Sequence, residues 1–182
     1  DDQISPLTNE PNRIPNPLAL NLYTLGYNAE KQLSTLNTAT KTNLATYLEQ
    51  YRMLTDAINI KDAFVINIAL EFEITTFRNY NNQRVLLQCI TEVKDYFNID
   101  KWQINQPIVM SEIKNLIGAV EGVQTVENIT ITNKKGESLG YSKYSYSIQK
   151  ATRDEIIYPS LDPSIFELKY PDTDIKGRIT TY

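Results

Sequence analysis

The sequence predicts an α+β fold, a small mixed sheet with helices packed on one face, built from strand-helix-strand units with extended terminal arms. The first observation behind this is the alternation of apolar and polar residues from Ala63 to Phe77, typical of a long strand with one buried face. The second is the helical spacing of apolar residues on both sides of that strand. The third is the clustering of prolines near the two ends of the chain.

The stretch from Ala63 to Phe77 is the predicted central strand. Its apolar residues of one parity are Phe64, Ile66, Ile68, Leu70, Phe72 and Ile74. Asn67, Glu71 and Glu73 have the other parity, and successive side chains of a strand point to opposite faces. We therefore expect a solvated face with Asn67, Glu71 and Glu73, and an apolar face covered by helices.

Four elements are predicted before the central strand. Residues Asp1 to Pro17 contain four prolines and little apolar periodicity, which predicts an extended arm. Leu18 to Tyr27 is typical of a strand that ends in a turn. A helix is predicted within Ala39 to Arg52, where Leu44, Tyr47, Leu48 and Tyr51 recur at helical spacing, and Thr55 to Ile60 is a short extended piece.

The segment after the central strand predicts an amphipathic helix. Its apolar stripe consists of Leu86, Cys89, Ile90, Val93 and Phe97. Polar residues at positions 79–82 supply the turn and the N-terminal cap. Cys89, the one cysteine, lies inside the stripe, which favours a small core residue over a catalytic thiol, because a reactive thiolate needs an electropositive neighbour.

Further elements are predicted as far as residue 149. Trp102 to Ile108 is a short strand, followed by a helix that carries Ile113, Leu116, Ile117 and Val120. Gly122 fits the left-handed residue that commonly closes a helix. Gln124 to Thr132 is a strand, and a turn leads into a return strand, Tyr141 to Gln149.

The organisation expected from these elements is an arm at 1–17, a domain at 18–149 and an extended tail at 150–182. A division of the domain into 18–60 and 61–149 is the alternative. The tail is rich in proline but keeps apolar residues, so we expect it to pack on its own domain or on a partner. The residues proposed as interface anchors are Tyr158, Ile165, Phe166 and Tyr170.

The composition argues against most classes of catalytic, metal-binding and nucleic-acid-binding site. The chain has no histidine, which removes the usual general base near neutral pH and the commonest zinc ligand. The net charge of −4 disfavours a nucleic-acid partner. Alternation on a solvated face explains the Glu71 and Glu73 pair, and Asp172 and Asp174 lack the remaining ligands of a calcium loop. The sequence predicts no enzyme, no cofactor or metal site, and no membrane span.

Three segments resemble a known family. YLEQYRMLTDAINIKDAFVINIALEFEI (Tyr47 to Ile74) and VLLQCITEVKDYFNIDKWQINQPIVMSEIKNLIGAVEGVQTV (Val85 to Val126) are similar to the baseplate J-like fold of contractile-tailed phages. The tail segment YPSLDPSIFELKYPDTDIKGRI narrows the resemblance to the C-terminal part of the baseplate wedge subunit of T-even-type phages. The matching positions are Arg52, Leu54, Thr55, Tyr96, Phe97, Gly122, Val123 and Val126.

The resemblance implies a structural virion protein of the tail baseplate, assembled in the host cytoplasm and without catalytic residues. Its implied partners are copies of itself, as a dimer or a higher ring, and other wedge proteins, so that wedges join into the ring around the tail hub. The alternative is a ligand- or RNA-binding α+β module, since such sheets can display aromatic side chains to single-stranded RNA. A solvated face of Asn67, Glu71 and Glu73 counts against that alternative.

Overall fold

The computed structural model describes residues 4–5, 19–51 and 57–180. The strands, in chain order, are β1 (Ile4–Ser5), β2 (Ala19–Thr24), β3 (Gly26–Tyr27), β4 (Leu33–Ser34), β5 (Ala57–Asp62), β6 (Phe64–Thr76), β7 (Ile108–Val109), β8 (Val123–Asn133), β9 (Ser145–Tyr146), β10 (Thr152–Arg153), β11 (Ile156–Ile157), β12 (Ser164–Glu167) and β13 (Ile175–Ile179). The α-helices are α1 (Thr38–Glu49), α2 (Asn82–Tyr96), α3 (Met110–Gly118), α4 (Ile148–Ala151) and α5 (Pro171–Asp174), and short 3-10 turns lie at Ile99–Lys101 and Glu137–Leu139.

The main sheet is built around β6. It pairs in parallel with β12 near its start and with β13 further along, and it pairs antiparallel with β8. Residues 70–74 of β6 pair with both β13 and β8, so these two strands lie on opposite edges of it. The sheet is therefore mixed, and the predicted α+β class is confirmed.

The apolar core lies between this sheet and the two longest helices after β6. Ile66, Ile68, Leu70, Phe72 and Ile74 are all buried, which confirms the predicted parity of the central strand. They face a helical layer that contributes Val85, Cys89 and Val93 from α2 and Ile113 and Ile117 from α3. Asn81 caps α2, since its side-chain oxygen accepts a hydrogen bond from the Arg84 amide at 3.1 Å.

The opposite face of β6 is solvated over only part of its length. Glu71 is exposed, as predicted, and lies 3.5 Å from the ammonium group of Lys176 on β13. Asn67 is 1% exposed, so its prediction as a solvated residue is wrong. Glu167 on β12 and the loop after β8 cover Asn67. Glu167 accepts a hydrogen bond from the side-chain amide of Asn67, and the Ser142 backbone amide in the loop donates one to its side-chain oxygen.

Two predicted strands are largely absent. Between Trp102 and Ile108 the chain forms a turn in which Asn105 has φ 62°, and only β7 is extended enough to pair. The predicted return strand at 141–149 is reduced to β9, followed by α4. The side chains of Asn67 and Asn133 accept hydrogen bonds from the backbone amides of Ser142 and Tyr146, and these bonds replace a strand ladder.

The predicted helix closure at Gly122 is also shifted. Helix α3 ends at Gly118, and Gly122, with φ 98°, lies in the turn that leads into β8. A side chain at Gly122 would come within 2.9 Å of the Tyr80 ring, so this turn has both a conformational and a steric need for glycine. The strand after it, β8, agrees with the predicted strand at 124–132.

The first part of the described chain forms a separate strand-helix-strand layer. Strands β2 and β5 pair in parallel, with α1 between them in the chain, which agrees with the predicted order of strand, helix and short strand. Arg52, Leu54 and Thr55 of the predicted family pattern lie outside the described residues, as does the arm at 1–17 apart from β1.

Residues 150–180 do not form the separate tail that was predicted at 150–182. Its strands β12 and β13 pair with β6 and carry buried apolar side chains, so the predicted boundary at residue 150 cuts through the main sheet. Within the described ranges, the helices are too short or too polar to cross a membrane.

Candidate interaction surfaces

The first candidate surface belongs to the α1 layer, which we define as β2, α1, β5 and the turns between β2 and α1. Among its residues with described side chains, 20–51 and 57–62, none is buried. Helix α1 is held on the strands by an ion pair between Lys41 Nζ and Asp62 Oδ2 at 2.6 Å. Both faces of a parallel sheet are normally covered by other parts of the protein. A two-stranded parallel sheet without a buried residue is therefore incompletely covered.

The outward side of α1 presents two tyrosines. Tyr47 is 56% exposed and Tyr51, two residues after the end of α1, is 70% exposed. Their ring centroids are 5.2 Å apart, and the Tyr51 hydroxyl donates a hydrogen bond to the Tyr47 hydroxyl oxygen at 3.2 Å. The only charged residues of α1 are Lys41 and Glu49, so this exposed helix is nearly uncharged. The helical spacing of Tyr47 and Tyr51 was predicted, but they are exposed and not in the core.

The second candidate surface is an open groove of about 1400 Å³, which we call the Leu161 groove. Leu161 is 97% exposed and Tyr158 is 45% exposed on its rim. Buried Tyr146 and Ser160 line its inner side. Its charged lining residues are Lys150, Arg153, Asp154 and Asp162, so acidic and basic groups balance.

The four predicted interface anchors do not form one surface. Tyr158 lies on the rim of the Leu161 groove, and Tyr170 is half-buried with its ring centroid 5.3 Å from that of Tyr141. Ile165 and Phe166 are buried, and the Phe166 ring packs 5.8 Å from the Tyr146 ring. In this fold Ile165 and Phe166 cannot serve as exposed anchors, because β12 turns them into the chain's own core.

A buried acidic residue that the sequence reasoning missed joins three parts of the fold. Glu167 Oε1 accepts a hydrogen bond from the Leu33 amide at 2.8 Å, and Oε2 accepts one from Asn67 Nδ2 at 2.7 Å. Asn67 Oδ1 in turn accepts from the Ser142 amide at 2.6 Å. Burial raises the pKa of Glu167, while the Leu33 amide, Asn67 and Lys169 lower it. These bonds connect β4 and the loop after β8 to β6, which is a structural role.

Asp172 and Asp174, the other carboxylates considered as metal ligands, do not form a common binding site. Asp172 is exposed and forms an ion pair with Lys94 at 2.5 Å, whereas Asp174 is buried and accepts a hydrogen bond from the Tyr141 hydroxyl at 2.6 Å. Burial, together with that hydrogen bond, raises the pKa of Tyr141 to about 12. In the described ranges, no cluster of three or more acidic or cysteine side chains could hold a metal ion.

Cys89 has the properties of a core residue. Its side chain is fully buried between α2 and the sheet. Burial raises the pKa of its thiol to about 11, so the thiolate form is scarce at neutral pH.

No family model and no curated protein matches the chain. Among solved structures, the chain is similar to a chain in the cryo-EM structure of the anti-feeding prophage (AFP) baseplate, 6-fold symmetrised. The two share 13% sequence identity with a TM-score of 0.48. The matched region covers 85% of this chain but only 31% of that chain, so this chain spans about a third of the length of the structure it matches.

Proposed function

We propose that this protein is a structural subunit of a contractile-tail baseplate, without catalytic activity, that associates with copies of itself and with other baseplate proteins. In its finer form the proposal is a wedge subunit that helps to join wedges into the ring around the tail hub. The resemblance of residues 47–74 and 85–126 to the baseplate J-like pattern supports it. The observation that supports association with copies of itself and with other proteins is the absence of any buried residue among the described side chains of the α1 layer.

The α1 layer needs a further surface to complete its burial. Its strands are parallel, and the apolar side chains of such a sheet are normally covered from both sides. A partner would remove from water the exposed Leu20, Tyr47 and Tyr51. Tyrosine is enriched among residues that dominate interface energetics, and a nearly uncharged helix loses little charge solvation when it is covered.

The solvated face of β6 gives little support to the RNA-binding alternative. Glu71 and Glu73 of β6 lie in register with Lys176 and Arg178 of β13, so acidic and basic side chains alternate across this face. RNA-binding sheets of this general type present aromatic rings to stacked bases. The side chains that these register positions of β6 and β13 supply are instead charged, with acidic residues opposite basic ones.

Self-association tests the proposal directly. A double variant, Tyr47→Ser with Tyr51→Ser, should keep the circular dichroism spectrum of the parent, because both side chains are exposed. Its self-association, measured by sedimentation equilibrium, should weaken about 10- to 1000-fold, since a central interface tyrosine contributes about 1 to 2 kcal/mol. Leu87→Ser is the matched control, because Leu87 is equally exposed but lies on α2.

Two results would contradict the proposal. A parent protein that stays monomeric at several hundred micromolar would contradict self-association. Unchanged self-association of the double variant would show that the α1 layer is not the contact surface.

A further inference from the structure

We propose that β9 and the Leu161 groove are the acceptor for the N-terminal arm of a second copy, so that neighbouring copies exchange β1. The inference rests on the proposed function insofar as it requires copies of the chain to stand side by side.

The structure shows the pairing that would be exchanged. Strand β1 pairs antiparallel with β9, with Ile4 opposite Tyr146 and Ser5 opposite Ser145. Among the described strands, β9 pairs with β1 alone. A strand edge recognises an extended backbone by main-chain hydrogen bonds and leaves specificity to neighbouring pockets, so β9 can pair in the same way with β1 of another copy. Ser145 and Tyr146 also line the Leu161 groove, so the strand edge and the groove form one continuous acceptor.

Hydrogen bonds and core packing of Tyr146 fix β9, the acceptor strand, to the rest of the fold. The Tyr146 amide donates a hydrogen bond to Asn133 Oδ1 at 3.0 Å, and its hydroxyl donates one to the Tyr158 carbonyl at 2.5 Å. Its ring packs against Phe166 in the core. An edge that is already ordered loses little conformational entropy when a strand docks on it, which favours binding.

The groove has room for more chain than the two residues of β1. Its volume of about 1400 Å³ extends from β9 to the exposed Leu161. Side chains of an arm that follow or precede the paired residues can therefore make contacts in the groove, where Leu161 and Tyr158 offer apolar surface. Such contacts would cover Leu161, which is otherwise almost fully exposed.

The length of the connection allows the arm to reach a neighbour. Residues 6–18 separate β1 from β2, and an extended chain covers about 3.3 to 3.6 Å per residue, so this connection can span several tens of ångströms. The contacts between β1 and β9 are the same whether both strands come from one copy or from two. The choice then depends on local concentration, which is high for adjacent subunits of an assembly.

Mixing two chains that each carry one introduced cysteine, in addition to the buried Cys89, tests the exchange. Ser5→Cys is placed in one chain and Ser145→Cys in another, and the mixture is treated with a short bis-maleimide at concentrations where the parent associates. We expect a covalent dimer that contains one chain of each kind. The controls are the unsubstituted parent, in which Cys89 is buried, and a mixture of Ser5→Cys with Ser138→Cys, which places the second thiol at an exposed position outside β9.

The outcomes separate this inference from the proposed function. A mixed covalent dimer supports arm exchange. Cross-linking confined to single chains of the doubly substituted Ser5→Cys, Ser145→Cys protein, with no mixed dimer, overturns it. If the parent still self-associates in that case, the proposed function stands and only the exchange fails. If the parent does not self-associate at all, both fail.

Discussion

Ending the chain at Lys150 is expected to unfold the protein, because the removed segment supplies part of the core. The large apolar side chains that are lost and are buried in the native fold are Ile157, Ile165, Phe166, Leu168 and Ile175. Full burial of such a side chain contributes about 1.5 to 3 kcal/mol, so five of them contribute about 7 to 15 kcal/mol. This is comparable to the entire stability of a typical domain, about 5 to 15 kcal/mol, and β6 also loses two paired strands.

The assay for this truncation is far-ultraviolet circular dichroism with a thermal melt. We expect a truncated chain without a cooperative transition. A cooperative melt close to that of the full chain would refute the reasoning, because it would mean that β12 and β13 are dispensable for the core. That outcome would favour the sequence-based alternative in which the tail at 150–182 packs on a partner and not on its own domain.

A pair of point variants in the same segment provides the matched comparison. Phe166→Ala should lower the free energy of unfolding by about 3 to 5 kcal/mol, because the ring is fully buried. Leu161→Ala should change it by no more than about 0.5 kcal/mol in the monomer, because that side chain is exposed. Equal effects of the two substitutions would contradict the assignment of Phe166 to the core.

Three further predictions concern one or two residues each. Cys89 should react with a thiol reagent only as fast as the protein opens, since the thiol is buried with its pKa raised to about 11; rapid labelling of native protein would contradict this. Because burial raises the pKa of Glu167 in the folded state, the stability that the protonated side chain contributes should be lost as pH rises from about 4.5 through the folded pKa. The difference in unfolding free energy between the parent and Glu167→Gln, measured by chemical denaturation, should therefore change with pH. A difference that is independent of pH would refute this prediction. Replacing Asp154 and Glu155, which have φ of 50° and 61°, by Asn and Gly should raise the unfolding free energy by about 1 kcal/mol, and a lower melting temperature would argue against the strained turn.

Local patterns in the sequence predicted the parts of the fold whose interactions are themselves local. The alternation along β6 and the helical stripe of α2 identify buried faces correctly, because each pattern repeats within one element. Alternation alone did not reveal that Asn67 is buried. That burial depends on Glu167, 100 residues away in the chain, and on a loop that donates to it from Ser142.

The candidate surfaces were only partly predictable for the same reason. Apolar residues in a proline-rich segment, such as Ile165 and Phe166, are compatible with an interface or with a strand, and only the pairing of β12 with β6 distinguishes these. The helical spacing of Tyr47 and Tyr51 predicted a helix correctly but not which side of it is covered. Glu167 offered one usable signal, an acidic residue within the apolar run Ile165, Phe166 and Leu168, which is typical of a buried group with dedicated donors.

The pairing of β6 with strands about 100 residues later has a consequence for biosynthesis. During translation β6 emerges well before β12 and β13. One edge of β6 therefore stays unpaired, and part of its apolar face stays uncovered, for several seconds at ordinary elongation rates. Contacts of such long sequence separation also slow the search for the native state. The nascent chain therefore exposes an aggregation-prone strand until β12 and β13 have been synthesised, and we expect its yield of native protein to respond to chaperone levels and to growth temperature.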